Sequence, residues 1–139
     1  MTDCLRVAVS GQGLHDITGL VREAVQAQGS ASGLERGMCH LYLQHTSASL
    51  LIQENYDPSA RHDLERWLNR LVPENDPLYT HTLEGPDDMP AHIKAALTAT
   101  SLSIPVREGV PALGTWQGIF LWEHRHAAGE RKVLVHLSP

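Results

Sequence analysis

The chain has 139 residues, 42% of them hydrophobic and 19% charged, which suits a single compact domain over residues 1–139 with an ordinary core. Its net charge of -5, with the histidines neutral, argues against a nucleic-acid-binding protein, because binding to the phosphate backbone needs a basic surface. There is no run of about 18 apolar residues and no signal-peptide pattern at the N-terminus, so we expect a cytoplasmic protein that does not enter the membrane.

The first third of the chain predicts strands around one helix. Alternating apolar residues predict a strand over Leu5–Val9. Asp16 is placed to cap an amphipathic helix, which we expect to end at Gly29. From Met38 to Glu54 the period-two pattern predicts two strands, or one long bent strand, with the break at Thr46.

The middle of the chain contains the clearest helix signal. Asp57 followed by Pro58 is typical of a capped helix start, and we expect this helix to end at Pro73. Its predicted apolar face consists of Ala60, Leu64, Trp67, Leu68 and Leu71. A short strand over Leu78–Leu83 and a helix from Pro90 to Ala99 are predicted to follow.

The last third predicts strands only. A strand over Ser101–Val106 precedes a segment from Leu113 to Arg125 that is apolar on both faces and therefore predicts a central strand. We expect the following HAAGE sequence to form a hairpin that exposes His124 and His126 and pairs this strand with Arg131–Leu137. About seven strands and three helices, not in strict alternation, favour an α+β fold.

The segment from His81 to Lys94, HTLEGPDDMPAHIK, has the highest density of reactive side chains. Gly85 and Pro86 predict a chain reversal just before a helix start. Two interpretations of Asp87 and Asp88 remain open, because carboxylates at a helix N-terminus stabilise the helix and carboxylates beside histidines also bind cations.

Nine histidines in the chain raise the prospect of metal binding or acid–base chemistry. Three imidazoles from distant segments are sufficient for a zinc-type centre with an open position, and the candidate metal ligands are His45, His81 and His92. A Mg²⁺ site would instead recruit Asp87, Asp88 and Glu84 together with phosphate oxygens. The expected cofactor is therefore a divalent metal ion, zinc or magnesium.

Two further segments offer contacts to a substrate. Thr46 and Ser47 lie at the predicted strand break, where hydroxyls and free N–H groups are suited to holding a phosphate. Asn55 follows in a Gln-Glu-Asn segment that is typical either of a turn or of part of a polar binding site. Lys94 and Arg125 are the candidate anion contacts.

The glycines around Trp116 and Gln117 predict close approach of a ligand or of another backbone, although packing in the core or against a subunit is the simpler explanation of the tryptophan. Glu123 points in the same direction as Arg125 if both lie on one strand. The candidate catalytic residues are Asp87, Asp88, Glu123 and Gln117. The chain has no Walker loop, GxGxxG, GxSxG or CxxC motif, so covalent nucleophilic catalysis has no obvious residue.

The sequence resembles the YjbQ family, whose members are described as secondary thiamine-phosphate synthases. Four blocks carry the resemblance: HTSASLLIQEN at 45–55, EGPDDMPAHIK at 84–94, SLSIPV at 101–106 and LGTWQGIFLWEHR at 113–125. The resemblance implies an α+β domain with antiparallel or mixed sheets packed on about three helices. It also implies a homotrimer with sites near subunit boundaries, and histidines that converge at His45, His81 and His92.

We therefore expect a metal-dependent enzyme that acts on a phosphorylated small molecule, with weak or secondary thiamine-phosphate synthase activity as the case that the resemblance implies. Joining a pyrimidine diphosphate to a thiazole phosphate expels pyrophosphate, so a catalyst must stabilise the leaving group. Two alternatives stay open, a metal-dependent hydrolase and a non-catalytic metabolite-binding trimer.

Overall fold

Eight strands and three helices make up the structure, a computed structural model that describes residues 2–139. In chain order they are β1 (Thr2–Val9), β2 (Gly13–Asp16), α1 (Thr18–Ser32), β3 (Gly37–Leu43), β4 (Ala48–Glu54), α2 (Pro58–Leu71), α3 (Asp88–Leu97), β5 (Ser101–Arg107), β6 (Val110–Pro111), β7 (Gln117–Glu123) and β8 (Gly129–Ser138).

The strands form two antiparallel sheets. One has five strands in the order β1-β8-β3-β5-β6, and the other has three in the order β2-β7-β4. Every strand pair is antiparallel. The predicted α+β class with about three helices is therefore confirmed.

The main core joins both sheets to α1. Apolar side chains from the strands of both sheets form one buried cluster with Val21 and Val25 of α1. The three-stranded sheet contributes a second, smaller cluster, in which Trp122 of β7 packs with Leu68 of α2 and with Ile93 of α3. Both faces of β7 are therefore covered, which explains why its sequence is apolar on both faces.

The α2 prediction is confirmed at its start, where the Asp57 carboxylate accepts a hydrogen bond from the Ser59 N–H at 2.9 Å. The predicted end of α1 at Gly29 is wrong, because the helix continues to Ser32 and Gly33 takes the left-handed conformation with φ 74°. Gly29 is needed for space instead, since a Cβ there would lie 2.7 Å from a backbone carbonyl.

Two strand predictions are confirmed. The segment from Met38 to Glu54 forms two strands, β3 and β4, separated by residues 44–47, and β7 is the central strand of its sheet. No pattern in the sequence indicated β2, which is only four residues long.

Two other predictions are wrong. Leu78–Leu83 forms no strand, because Asp76 accepts hydrogen bonds from the N–H groups of Leu78 and Tyr79 and turns the chain. The hairpin between β7 and β8 does not form either, since the two strands belong to different sheets. His124 is consequently buried as the chain crosses between them, with 1% of its surface exposed.

None of the helices in residues 2–139 combines the length and the apolar character required to span a bilayer.

Candidate metal centre

His81, Asp88 and His92 form a compact cluster at the start of α3. Nε2 of His81 lies 2.8 Å from Oδ2 of Asp88, and Nε2 of His92 lies 3.1 Å from the same oxygen. One possible ligand atom from each of the three residues lies within 4.8 Å of the others. The Asp88 side chain is buried, whereas half of the His81 side chain is exposed, so the cluster is open to solvent on one side.

Two parts of the chain bring these side chains together. Asp88 and His92 are one turn apart on α3, and this i,i+4 spacing places both on the same face of the helix. His81 comes from the irregular segment 72–87 that connects α2 to α3.

A hydrogen bond to the backbone of Thr46 fixes the orientation of the His92 ring. Its Nδ1 lies 3.0 Å from the carbonyl oxygen of Thr46, and because a carbonyl only accepts, Nδ1 must carry the proton. In the neutral form of the ring, Nε2 then carries the lone pair and faces the Asp88 carboxylate. Metal-binding histidines are typically oriented by this kind of second hydrogen bond.

Arg125 holds the two acidic side chains in place. Its guanidinium lies 3.2 Å from Oδ1 of Asp87 and 3.3 Å from Oδ1 of Asp88, and it donates to the carbonyl oxygen of Glu84 at 2.7 Å. The backbone N–H of His126 donates to Oδ2 of Asp87 at 2.9 Å. The Asp87 side chain makes no capping hydrogen bond to α3, whereas Asp88 lies in the first turn of the helix and also contacts the histidines and Arg125.

The charge state of both carboxylates follows from these contacts. Burial raises the pKa of Asp88, but the hydrogen bond to His81 and the nearby positive charges outweigh burial and hold it below its usual value. For Asp87, burial is likewise outweighed by the hydrogen bonds from the His126 N–H and the Arg125 guanidinium, and the pKa is lowered. Both groups are therefore carboxylates at neutral pH.

The chemistry of the cluster fits a divalent transition metal. If Nε2 of His92 is unprotonated, its lone pair and the Asp88 oxygen at 3.1 Å repel each other unless a cation lies between them, whereas a protonated Nε2 would form an ion pair with Asp88. Two ligands of a tetrahedral zinc ion are separated by roughly 3.3 Å, so little movement would be needed. Two imidazoles and one carboxylate suit zinc or a similar ion, whereas Mg²⁺ prefers oxygen ligands only.

The structure places His45 beside this cluster but outside the group of converging ligand atoms. Its Nδ1 accepts a hydrogen bond from the Ser47 N–H at 3.1 Å, and the Ser47 hydroxyl lies 3.0 Å from the same nitrogen. Burial, and then the charge of Arg131, lower the pKa of His45. The Ser47 side chain is buried against this ring.

Both candidate anion contacts have partners within the chain. Lys94 is 3% exposed, and its Nζ donates to Oδ1 of Asn69 at 2.5 Å. Burial lowers the pKa of Lys94, which the charges of Glu74 and Asp87 only partly offset. Arg125 is occupied by the acids described above. Neither cation is free to hold a phosphate in this structure.

Glu123 is fully buried and belongs to an ion pair. Its Oε1 accepts from Nε of Arg131 at 2.6 Å, and its Oε2 accepts from the backbone N–H of Arg125 at 3.1 Å. Glu123 does not pair with the Arg125 side chain, because that guanidinium reaches the acids of the 81–94 segment instead.

Asn55, Trp116 and Gln117 lie at the opposite end of the three-stranded sheet. β7 runs from Gln117 to Glu123, and a strand of this length spans roughly 20 Å. The Gln117 side chain closes a turn by accepting from the Gly114 N–H, and Trp116 is 57% exposed. These residues and the metal cluster do not meet within one chain.

Sequence reasoning missed one contributor to the metal cluster and two contacts outside it. The Thr46 carbonyl, the Arg131 partner of Glu123 and the exposed Tyr56, whose ring packs against Trp116 at 4.6 Å, were not singled out. Only the Asp88/His92 pair could be recognised from the sequence, because an i,i+4 spacing after a helix start places two side chains on the same helix face. The other contacts join residues far apart in sequence.

The comparisons with known proteins agree on one family. The family described as "UPF0047 protein YjbQ-like" matches residues 4–139. UPF0047 protein sll1880 from a Synechocystis strain is 48% identical over 136 residues, which covers 98% of this chain and 90% of that protein. UPF0047 protein YjbQ from Escherichia coli O157:H7 is 44% identical over 134 residues, with 96% and 94% covered.

Solved structures show the same fold. A conserved hypothetical protein from Thermus thermophilus has a TM-score of 0.85 at 32% identity, and the match covers 98% of this chain and 99% of that protein. A protein of the yjbq/upf0047 family from Clostridium acetobutylicum has a TM-score of 0.81 at 36% identity, with 99% of both chains covered.

Proposed function

Because this chain belongs to the YjbQ-like UPF0047 family, we propose that its function depends on the cluster described above, as a metal-dependent enzyme that acts on a phosphorylated small molecule. The single observation that carries the proposal is the convergence of Nε2 of His81 and Nε2 of His92 on one buried oxygen of Asp88.

In this proposal His81, Asp88 and His92 would hold the ion, which would act as a Lewis acid on a phosphoryl oxygen. The Thr46 carbonyl keeps the proton of His92 on Nδ1 and so keeps Nε2 free as a ligand. Arg125 positions Asp88 through the contact between its guanidinium and Oδ1 at 3.3 Å. The exposed side of His81 leaves room for a substrate to approach.

Thiamine-phosphate formation is the named reaction within this proposal, supported by the resemblance of the sequence blocks. A ring nitrogen of the thiazole phosphate forms a bond to the methylene carbon of the pyrimidine diphosphate, and pyrophosphate leaves with the bonding electron pair. A centre that stabilises negative charge on phosphoryl oxygens assists this departure.

Metal content tests the centre directly. The protein purified without added metal should contain about one divalent ion per chain by elemental analysis, and zinc is the expected ion. His92→Ala and Asp88→Asn should lose most of it, whereas His62→Ala, which changes a histidine on α2 away from the cluster, should retain it. Equal metal content in all four proteins, or none in any, would refute the centre.

Activity requires a separate experiment. The chain should restore growth of cells that lack their thiamine-phosphate synthase, and Asp88→Asn should not. Failure to restore growth at high expression would exclude thiamine-phosphate formation as the activity but would not exclude the metal centre. Release of phosphate from a simple phosphate ester without any acceptor would instead favour the metal-dependent hydrolase.

A homotrimer and a cytoplasmic location are also part of the proposal. The exposed aromatic pair of Tyr56 and Trp116 supports a subunit contact. In the proposed trimer, this contact would bring Asn55 and Gln117 of one chain close to the metal centre of a neighbouring chain. Light scattering after gel filtration should give three times the mass of the chain, and a monomer at micromolar concentration would exclude this assembly. Both cysteines are free thiols, as is usual in the cytoplasm.

A further inference from the structure

The hydrogen bonds of His45 fix its tautomer. The Ser47 backbone N–H lies 3.1 Å from Nδ1 of His45, and an N–H group can only donate. Nδ1 therefore carries a lone pair, and the single proton of the neutral ring must be on Nε2. Within residues 2–139 this Nε2 has no hydrogen-bond partner, so its N–H is available to another molecule.

His92 has the opposite arrangement. Its Nδ1 must be protonated because it faces the Thr46 carbonyl, so in the neutral tautomer Nε2 carries the lone pair. The same loop, residues 44–47, therefore prepares one histidine as a metal ligand and the other as a hydrogen-bond donor. A ligand nitrogen must be unprotonated, which Nε2 of the neutral His45 is not.

The surroundings of His45 suit an oxyanion. The ring lines a surface cleft of about 550 Å³ together with Tyr42, Leu43, Gln44, Thr46 and Thr100. The lining contains hydroxyl and amide groups but no carboxylate. Thr46, whose carbonyl contacts His92, forms part of its wall, so the cleft borders the candidate metal centre. Burial and then the positive charge of Arg131 lower the pKa of His45, which keeps the ring neutral.

We infer that His45 is not a third ligand of the ion but a binding residue, whose Nε2–H donates a hydrogen bond to a phosphoryl oxygen of the substrate in the cleft beside the metal centre. This inference rests on the proposed function for its substrate. The tautomer of His45 is inferred from its hydrogen bonds alone and does not depend on the proposed function.

Two amide substitutions separate the two ring nitrogens. The side-chain nitrogen of His45→Gln reaches the position of Nε2 and still donates there, whereas the shorter His45→Asn reaches only the position of Nδ1. Both variants should contain as much zinc as the wild type. The affinity of the zinc-loaded protein for inorganic phosphate, measured by calorimetry, should fall about tenfold in His45→Asn and stay within about threefold in His45→Gln.

Loss of zinc from either variant would overturn the inference, because it would make His45 a ligand. Unchanged phosphate affinity in His45→Asn would also overturn it. Acetate is the comparison ligand: if it binds the wild type as tightly as phosphate and shows the same dependence on His45, the assignment to a phosphoryl group is wrong.

A readout without metal separates this inference from the proposed function. Long-range ¹H–¹⁵N NMR of the histidine-labelled wild-type protein shows which ring nitrogen carries the proton. We expect Nε2–H for His45 and Nδ1–H for His92. An Nδ1–H form of His45 would refute the donor assignment even if zinc binds, whereas the expected tautomers in a protein that binds no zinc would refute only the metal centre.

Discussion

Replacing Glu123 by glutamine tests whether this residue is structural. Its carboxylate is fully buried and accepts two hydrogen bonds, at 2.6 Å from the Arg131 guanidinium and at 3.1 Å from the Arg125 backbone. The Arg131 side chain is only 13% exposed, so the substitution leaves a nearly buried positive charge without its partner. Breaking such a pair from one side costs about 3–5 kcal/mol of unfolding free energy.

For a chain of 139 residues, a loss of about 3 kcal/mol lowers the melting temperature by about 10 °C. Urea unfolding followed by circular dichroism measures the free energy, and a melting curve gives the temperature. The matched control is Glu130→Gln, because Glu130 pairs with Arg6 at 3.5 Å with both side chains more than half exposed. That exposed pair should change stability by less than about 1 kcal/mol.

The double variant Glu123→Gln/Arg131→Met completes the test. Because it removes the charge that the single variant leaves unpaired, it should recover part of the lost stability. If Glu123→Gln and Glu130→Gln have the same small effect, the burial argument is wrong. If Glu123→Gln folds normally and loses only activity, the residue is catalytic instead.

Three further predictions concern stability and reactivity. In α1, Gly29→Ala should lower the unfolding free energy by about 1–3 kcal/mol, because the added Cβ would meet a backbone carbonyl. The control Gly19→Ala adds a Cβ with nothing within 4 Å and should be neutral or stabilising by up to about 1 kcal/mol. Urea unfolding measures both changes. Burial lowers the pKa of His124 from 6.5 to about 3. Between these pH values the unfolded chain binds a proton at His124 that the folded chain does not. The unfolding free energy should therefore fall as the pH is lowered from 6.5 to about 3, by up to about 1.4 kcal/mol per pH unit. His124→Gln should flatten that slope, and an unchanged slope would contradict it. Burial raises the pKa of Cys39 to about 11, so a thiol reagent should modify only Cys4 in the native protein and both cysteines after denaturation.

The parts of the fold that follow from local sequence rules could be predicted. The start of α2 depends on Asp57 and its neighbours alone, and the two apolar faces of β7 reflect burial on both sides. The partner of β8 could not be predicted in the same way. In β8, buried side chains alternate with partly exposed ones, because β8 belongs to the five-stranded sheet, which is covered on one face. β7, in contrast, is covered on both faces. A short connection between two strands suggested a hairpin, but the packing of the two cores placed the strands in different sheets.

The candidate site shows the same division. The segment from His81 to His92 could be identified because its reactive residues are close in sequence, and the structure brings two of the three predicted metal ligands together there. The role of Thr46 could not be predicted, since a backbone carbonyl has no sequence signature. Lys94 has a charge but no exposed surface, and burial of that kind depends on how α2 packs against α3.

The irregular connection from residue 72 to 87 has a consequence for how proteins of this kind diversify. It lies mostly on the surface, and the fully exposed Leu83 and the 82% exposed Leu78 contribute nothing to either core. Insertions or deletions near the exposed Leu78 and Leu83, away from the buried Val72 and Asp87 at the ends of the segment, would leave both sheets intact while changing what surrounds His81. Selection for a new substrate can therefore alter this exposed part with little loss of folding stability, because Asp88 and His92 stay anchored on the helix.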